Sequence, residues 1–188
     1  MRVISGKARG TKLVPLKGAS LRPTLDRVKE SLFNRIGPLL DGECLLDLFA
    51  GSGSIGIEAL SRHADHVVFV ENNMQSQKLI VANLEKCRFG LEASGRELWT
   101  LMKSDALSAL KTLQAKGQQF DWIYVDPPFD AGLYEAVLEN ISESTLLKSA
   151  GQVVVEHHSK TSLQEKYGRL KLDFQRRLGD SSLCYFSL

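Results

Sequence analysis

Paired cysteines, metal-ligand spacings and long apolar runs are all missing from this chain of 188 residues, and each absence closes off a class of protein. The three cysteines, Cys44, Cys87 and Cys184, stand apart without paired spacing, which argues against a disulfide framework and against a zinc site. Four histidines form no ligand pattern either, and the adjacent His157 and His158 would point to opposite faces of a strand. No metal is expected. The longest apolar stretches, such as Cys44 to Ala50 and Trp122 to Val125, fall far short of the roughly 20 residues that span a bilayer. Arg2, Lys7 and Arg9 are not followed by an apolar block, so neither a secretory signal nor a lipidation motif is expected. Repeats, low-complexity tracts and domain linkers are lacking as well. What is present, 43% hydrophobic and 24% charged residues, is ordinary globular composition with enough length for one sizeable core. The expectation is one cytoplasmic domain over 1–188, a monomer that does not associate with membranes.

Charge of one sign is scarce overall, at a net +2, but it is concentrated locally. Nine Lys or Arg residues fall between Met1 and Arg35 against two acids, Asp26 and Glu30, so the rest of the chain is net acidic. A positive segment on a mildly acidic body suits the grip of one face on a polyanion, because phosphate contacts release condensed counterions.

From Arg2 to Pro15 the sequence is basic and broken by Gly6 and Gly10, which reads as an irregular hairpin or arm (1–23) too polar to join the core. Thr24 offers an N-cap hydroxyl, Asp26 suits the first turn, and Leu25, Val28, Leu32 and Ile36 define an apolar stripe. These signals place a leading helix within 24–40 that Gly37-Pro38 ends. From 41 onward, five strands (Cys44 to Ala50, His66 to Glu71, Trp99 to Asp105, Phe120 to Asp126, Gln152 to His157) alternate with helices over Ile55 to Arg62, Met74 to Lys86, Ala106 to Lys116 and Leu133 to Ile141. Strands apolar throughout and separated by helices form a parallel sheet covered on both faces. Leu170 to Arg177 and Ser181 to Leu188, split by Gly179-Asp180, read as an antiparallel hairpin. The expected fold is α/β and Rossmann-like, with a seven-stranded, mostly parallel sheet.

Strand one runs into Asp47-Leu48-Phe49-Ala50-Gly51-Ser52-Gly53-Ser54-Ile55-Gly56, a turn whose glycines let backbone amides approach a nucleotide-like cofactor. Gly51, Gly53 and Gly56 match the dinucleotide fingerprint, and Glu71, about twenty residues on, can accept from ribose hydroxyls. Spacing alone leaves nicotinamide and S-adenosylmethionine open. Two acids favour the latter. Asp47, just before the glycines, would repel a pyrophosphate and attract the ammonium of a methionine moiety. Asp105, at the end of strand three, can accept from an adenine amine. Phe49, Asn72 and Ala106 complete the expected cofactor set with Asp47, Gly51, Gly53, Glu71 and Asp105.

Strand four ends in Asp126-Pro127-Pro128-Phe129, at the sheet edge where ligands bind in such folds. Two prolines in succession stiffen the backbone and donate no amide hydrogen, leaving carbonyls free to accept. An amine on a purine ring is a poor nucleophile because its lone pair is delocalised. If the Asp126 carboxylate and the Pro127 carbonyl each take an amine hydrogen, the lone pair is released toward an electrophilic methyl. Phe129 offers a stacking face to an extruded base. Asp126, Pro127 and Phe129 are therefore the candidate catalytic residues, and Arg9, Lys12, Arg22, Thr24, Arg27, Pro128 and Phe129 the candidate substrate contacts.

These residues resemble the bacterial RsmD-type methyltransferases. The likeness runs through Arg2-Val3-Ile4-Ser5-Gly6-Lys7, Arg9-Gly10, Lys12-Leu13, Arg22-Pro23-Thr24, Asp26-Arg27-Val28 and Leu32-Phe33-Asn34. It continues through Asp47 to Gly56, Glu58 to Arg62, Glu71 and the Asp126 tetrapeptide, and it weakens after about Gly151. The resemblance implies methylation of guanine N2 in 16S ribosomal RNA, on a partly assembled small subunit, with the basic N-terminal segment contacting RNA and cofactor. Three alternatives stay open: methylation of another amine, such as adenine N6, on DNA, RNA or protein; a nicotinamide-dependent oxidoreductase; and a non-catalytic RNA assembly factor.

Overall fold

Alternation of doubly covered strands with amphipathic helices produces the expected α/β sheet, and its two cores explain why the strands read as continuous apolar runs. The computed structural model describes residues 1–15, 23–90, 95–128 and 132–188, without the side chains of 23–25. Its elements are α1 (Pro23–Ile36), β1 (Cys44–Asp47), α2 (Ser54–Ser61), β2 (His66–Val70), α3 (Met74–Lys86), β3 (Trp99–Met102), α4 (Ala106–Ala115), β4 (Phe120–Val125) and α5 (Tyr134–Glu143). Then come β5 (Leu147–His158), β6 (Lys166–Tyr167), β7 (Leu170–Leu178) and β8 (Ser181–Ser187). The strand order is β3-β2-β1-β4-β5-β8-β7-β6, parallel through β5 and antiparallel beyond it. Successive strand residues divide between the two faces. Val67 and Phe69 of β2 pack with α1, α2 and α3, whereas Val68 and Val70 pack with α4 and α5. Among the described residues no helix is long and apolar enough to cross a membrane.

Three expectations need correction. The sheet has eight strands, not seven, because Lys166–Tyr167 pairs with the start of β7. Two residues carry no readable periodicity, and this strand is fixed by tertiary contact: Tyr167 is buried edge-on against Phe186, ring centroids 5.8 Å apart. The leading helix starts at Pro23 and stops at Ile36. Proline is favoured in a first helical turn because its missing N–H would have no partner there, and Gly37, at φ 121°, ends the run. Leu40 already belongs to the next segment, its amide bonded to the Arg62 carbonyl.

The third correction concerns the arm, which is a hairpin as expected but is not excluded from the core. Arg2 bridges Lys12, the Val3 amide donates to the Thr11 carbonyl while the Val3 carbonyl accepts from Gly10, and Val3, Ala8 and Leu13 are buried. Buried polar groups of α2 replace the apolar surface the hairpin lacks. Glu58 accepts from the amides of Ile4 (2.8 Å) and Ser5 (3.0 Å), while Ser61 accepts from Ala8 through its hydroxyl and from Lys7 through its carbonyl. Gly6, at φ 79°, is required there, since a Cβ would lie 1.6 Å from the Ser61 oxygen.

Candidate active site

Parallel strands present their carboxyl ends at one edge, and the sequence puts acids there. Asp47 follows Leu46 on β1, Asp126 directly follows β4, and Glu156 lies near the end of β5. Asp47 pairs with Tyr124 and Val125 with Val155, so these acids occupy neighbouring strands. Alternation puts Asp47, Tyr124, Asp126 and Glu156 on the same face. The loop after β1 closes over this edge through bonds from Ala50 to the Val70 carbonyl (3.0 Å) and from Gly53 to the Ala50 carbonyl (2.7 Å). Gly53, at φ 77°, caps α2, and Gly56 allows the helix onto β2, where a Cβ would fall 2.2 Å from the Phe69 ring.

Glu71 organises the second wall of this loop. Its two oxygens accept from Gly51 and Asn73, both at 2.8 Å, and Gln77 holds its carbonyl. Asn73 in turn caps α3 by accepting from Gln75 and Ser76, while Asn72 is exposed. The Glu71 carboxylate is thus fixed beside the glycines with further lone pairs for hydroxyl donors. Asp105 caps α4 by accepting from Ser108 at 2.9 Å, and this bond holds its carboxyl below the ordinary range. Its expected contact to an adenine amine must therefore share the carboxylate with the cap. Ala106 is buried beneath it, and Phe49 is half-buried against the α4–α5 core.

Asp47 is almost sealed from solvent, at 1% exposure, and accepts from the Gly56 amide at 3.2 Å. Burial pushes its pKa up to about 7, opposed by the Gly56 bond and aided by Glu71. A buried carboxylate that is costly to ionise fits a site that receives a cation, because a positive partner restores the charged form. The same burial has a stability consequence. With the folded pKa above the unfolded one, the contribution of protonated Asp47 to stability is full below pH 4 and is lost as pH rises through 7. The total loss is on the order of 4 kcal/mol. Asp47→Asn, which keeps an oxygen for Gly56, is expected to melt higher than the parent at pH 8 with the gap closing by pH 4.5. Its affinity for S-adenosylmethionine is expected to fall at least tenfold, which calorimetric titration reads directly. An unchanged affinity would remove Asp47 from the cofactor set.

Asp126 is exposed and Pro127 buried, with Pro128 exposed beyond it; Phe129 lies outside the described residues. Water reaches Asp126, yet protein atoms crowd its carboxyl and the charges of Glu156 and Asp47 bear on it, so its pKa stands well above the carboxylate range. Solvent access moderates the crowding, but both neighbouring charges act in the same direction. Glu156 was not singled out from sequence. It is buried, receives the Tyr124 hydroxyl at 2.5 Å and also accepts from Ser181. Its readable signal is one acid directly after the apolar run Val153-Val154-Val155. Tyr134, at the start of α5, is pushed up to about 12 by burial and by the charges of Asp126 and Glu156.

The substrate candidates are less gathered. Arg22 and the Thr24 side chain lie outside what is described, while Arg27, Arg9 and Lys12 are exposed on the same side of the sheet. Arg9 sits at the hairpin tip, tethered to the last turn of α2, whereas the glycine loop meets its first turn. Eight residues of helix, about 12 Å, separate them. The structure does not bring Arg9 to the catalytic edge.

A glycine loop after β1, acids ending β1 and β2, and an antiparallel tail on a parallel sheet define the fold of the S-adenosylmethionine-dependent methyltransferases. The solved structure "Putative methyltransferase yhhF from Escherichia coli" shares it with a TM-score of 0.80 at 31% identity, over 99% of this chain and 96% of that one. Residues 1–187 match the family described as "Conserved hypothetical protein 95", and the chain belongs to that family. It is 38% identical over 186 residues to "Putative rRNA methyltransferase YlbH" of Bacillus subtilis, covering 99% of this chain and 98% of that protein. It is 40% identical over 156 residues to "Ribosomal RNA small subunit methyltransferase D" of Haemophilus influenzae, covering 83% and 78% respectively.

Proposed function

We propose that the protein methylates the exocyclic N2 of a guanine in 16S ribosomal RNA, on a partly assembled small subunit, using S-adenosylmethionine. The observation that carries this reading is a solvent-reached carboxylate of raised pKa, Asp126, joined to a carbonyl-only Pro127 at the edge where the glycine loop lies. The names of the relatives support its coarser part, methylation of ribosomal RNA. Asp47, Phe49, Gly51, Gly53, Glu71, Asn72, Asp105 and Ala106 hold the cofactor, which when bound supplies an electrophilic methyl on a sulfonium.

Asp126 and the Pro127 carbonyl each accept one hydrogen of the amine, which frees the nitrogen lone pair and holds it in line. Were the bound cofactor to give up its methyl to this nitrogen, leaving as the neutral thioether, the amine proton shed would pass to Asp126 and from there to water. Glu156, held by Tyr124, raises the basicity of Asp126 for that step. Phe129 stacks the extruded base, a contact worth about 1–3 kcal/mol.

Supplying labelled cofactor to RNA, DNA and protein from cells lacking the gene is expected to label RNA alone. Mass spectrometry of the 16S product should then find N2-methylguanine at one position. Label confined to DNA or protein would overturn the reading, and a different amine in RNA would replace its guanine assignment.

A further inference from the structure

We propose that the cleft between α1 and the β7–β8 hairpin is a second RNA site that holds nucleotides flanking the target, an inference that rests on RNA being the substrate. The cleft has a volume of about 320 Å³ and is lined by Ser31, Asn34, Arg35, Phe174, Arg176 and Tyr185. That is the low end of the range for small-ligand pockets and suits a nucleotide rather than a folded protein surface. Two cations and no acid line it. Neither Arg35 nor Arg176 has an ion-pair partner among the described residues.

Its chemistry is that of a single-stranded polyanion site. The Arg35 guanidinium lies over the rings of Phe174 (4.1 Å) and Tyr185 (4.8 Å), which holds a flat cation beside two aromatic faces at an exposed position. Phe174 is among the exposed large hydrophobics of the chain, on a strand whose neighbours Gln175, Arg176 and Arg177 are also exposed. Ser31 supplies a second, independent observation. It is 8% exposed and lines the cleft, and its hydroxyl has no hydrogen-bond partner among the described residues. A buried hydroxyl left unpaired costs about 1–3 kcal/mol, so a ligand that pairs with it gains that back.

Register ties the cleft to the catalytic edge. Glu156 pairs with Leu183 and Leu183 with Arg176, so Arg176 lies on the row of Glu156, on the same face and two strands away. Two strand spacings are about 10 Å, which two or three successive nucleotides cover. On α1, Arg27 stands four residues before Ser31, and Asn34 and Arg35 stand three and four after it, one side of the helix. A strand entering along Arg27 is thereby led into the cleft with its target base toward Asp126.

The test uses the full chain, a 16S transcript as probe, and Arg176→Glu and Ser31→Ala. Arg176→Glu is expected to raise the Kd for the transcript about tenfold or more at 0.1 M salt. It should flatten the log Kd against log salt slope by about 1, with S-adenosylmethionine affinity unchanged. Ser31→Ala should weaken RNA binding about threefold while leaving Tm equal or higher, because it removes an unpaired hydroxyl. Parental methylation of RNA with an unaltered slope and Kd in Arg176→Glu overturns the site but leaves the proposed function standing. Failure of the parent to methylate RNA removes that function instead. Loss of methylation on the assembled particle alone, with transcript affinity intact, would make the cleft a protein contact and also overturn the proposal, as would a lower Tm in Ser31→Ala.

Discussion

Asp126→Ala is expected to lower single-turnover methyl transfer by about three orders of magnitude or more while S-adenosylmethionine binds within tenfold of the parent, ~1.4 kcal/mol. The split follows from placement. Asp126 follows β4 at the carboxyl edge of the sheet, whereas the loop bonds made by Gly51, Gly53 and Glu71 do not involve it. The ionised form is the working one and its pKa is raised, so the parental rate should fall as pH drops and recover as the carboxyl titrates. Glu156→Gln removes one of the charges that raise it. That variant should move the acid limb of the rate profile to lower pH while lowering the plateau, because a less basic Asp126 accepts the proton less readily. A profile unmoved by Glu156→Gln would make Glu156 merely structural, and retained turnover in Asp126→Ala would end the catalytic assignment.

Local patterns carried most of the fold and the centre of the candidate site. The glycine loop and the Asp126 tetrapeptide are contiguous in the chain, and the doubly buried strands announce themselves by apolar runs such as His66–Val70. What escaped reading depends on partners distant in sequence. Glu156 matters because β5 lies beside β4, a neighbour relation set by topology rather than by any spacing. The hairpin looked too polar for the core because its burial depends on Glu58 and Ser61, more than fifty residues away. Phe174 and Arg176 read only as part of the antiparallel hairpin, because their setting depends on α1 packing beside them. The roles of Asp47 and Asp105 separate in the same way: both read as strand-end acids, yet one is sealed against Gly56 and the other caps a helix.

The second large effect is expected on stability, from Glu58→Ala. Glu58, fully buried, serves two hairpin amides and two cations at once: Arg62 at 3.0 Å and Lys29 at 3.3 Å. Lys29 is itself 1% exposed and also donates to the Arg2 carbonyl (2.6 Å) and to Ser54 (3.3 Å). Removing the carboxylate strands a buried ammonium, a loss of about 3–5 kcal/mol against a typical total of 5–15. Burial already lowers the Lys29 pKa, with Glu58 the main opposing influence. Without Glu58 it should fall further, so the deficit is expected to be larger at pH 6 than at pH 9, where the amine sheds its proton. Adding Lys29→Met should recover part of the loss and abolish that pH dependence, which denaturant melts at both pH values would detect. Because Ser54 opens α2 directly after Gly53, and Asn83 ties Val14 to the Ser52 carbonyl, the hairpin and the glycine loop share supports. Glu58→Ala should therefore also weaken cofactor binding, whereas a variant that loses stability with cofactor affinity intact would show the two to be mechanically independent.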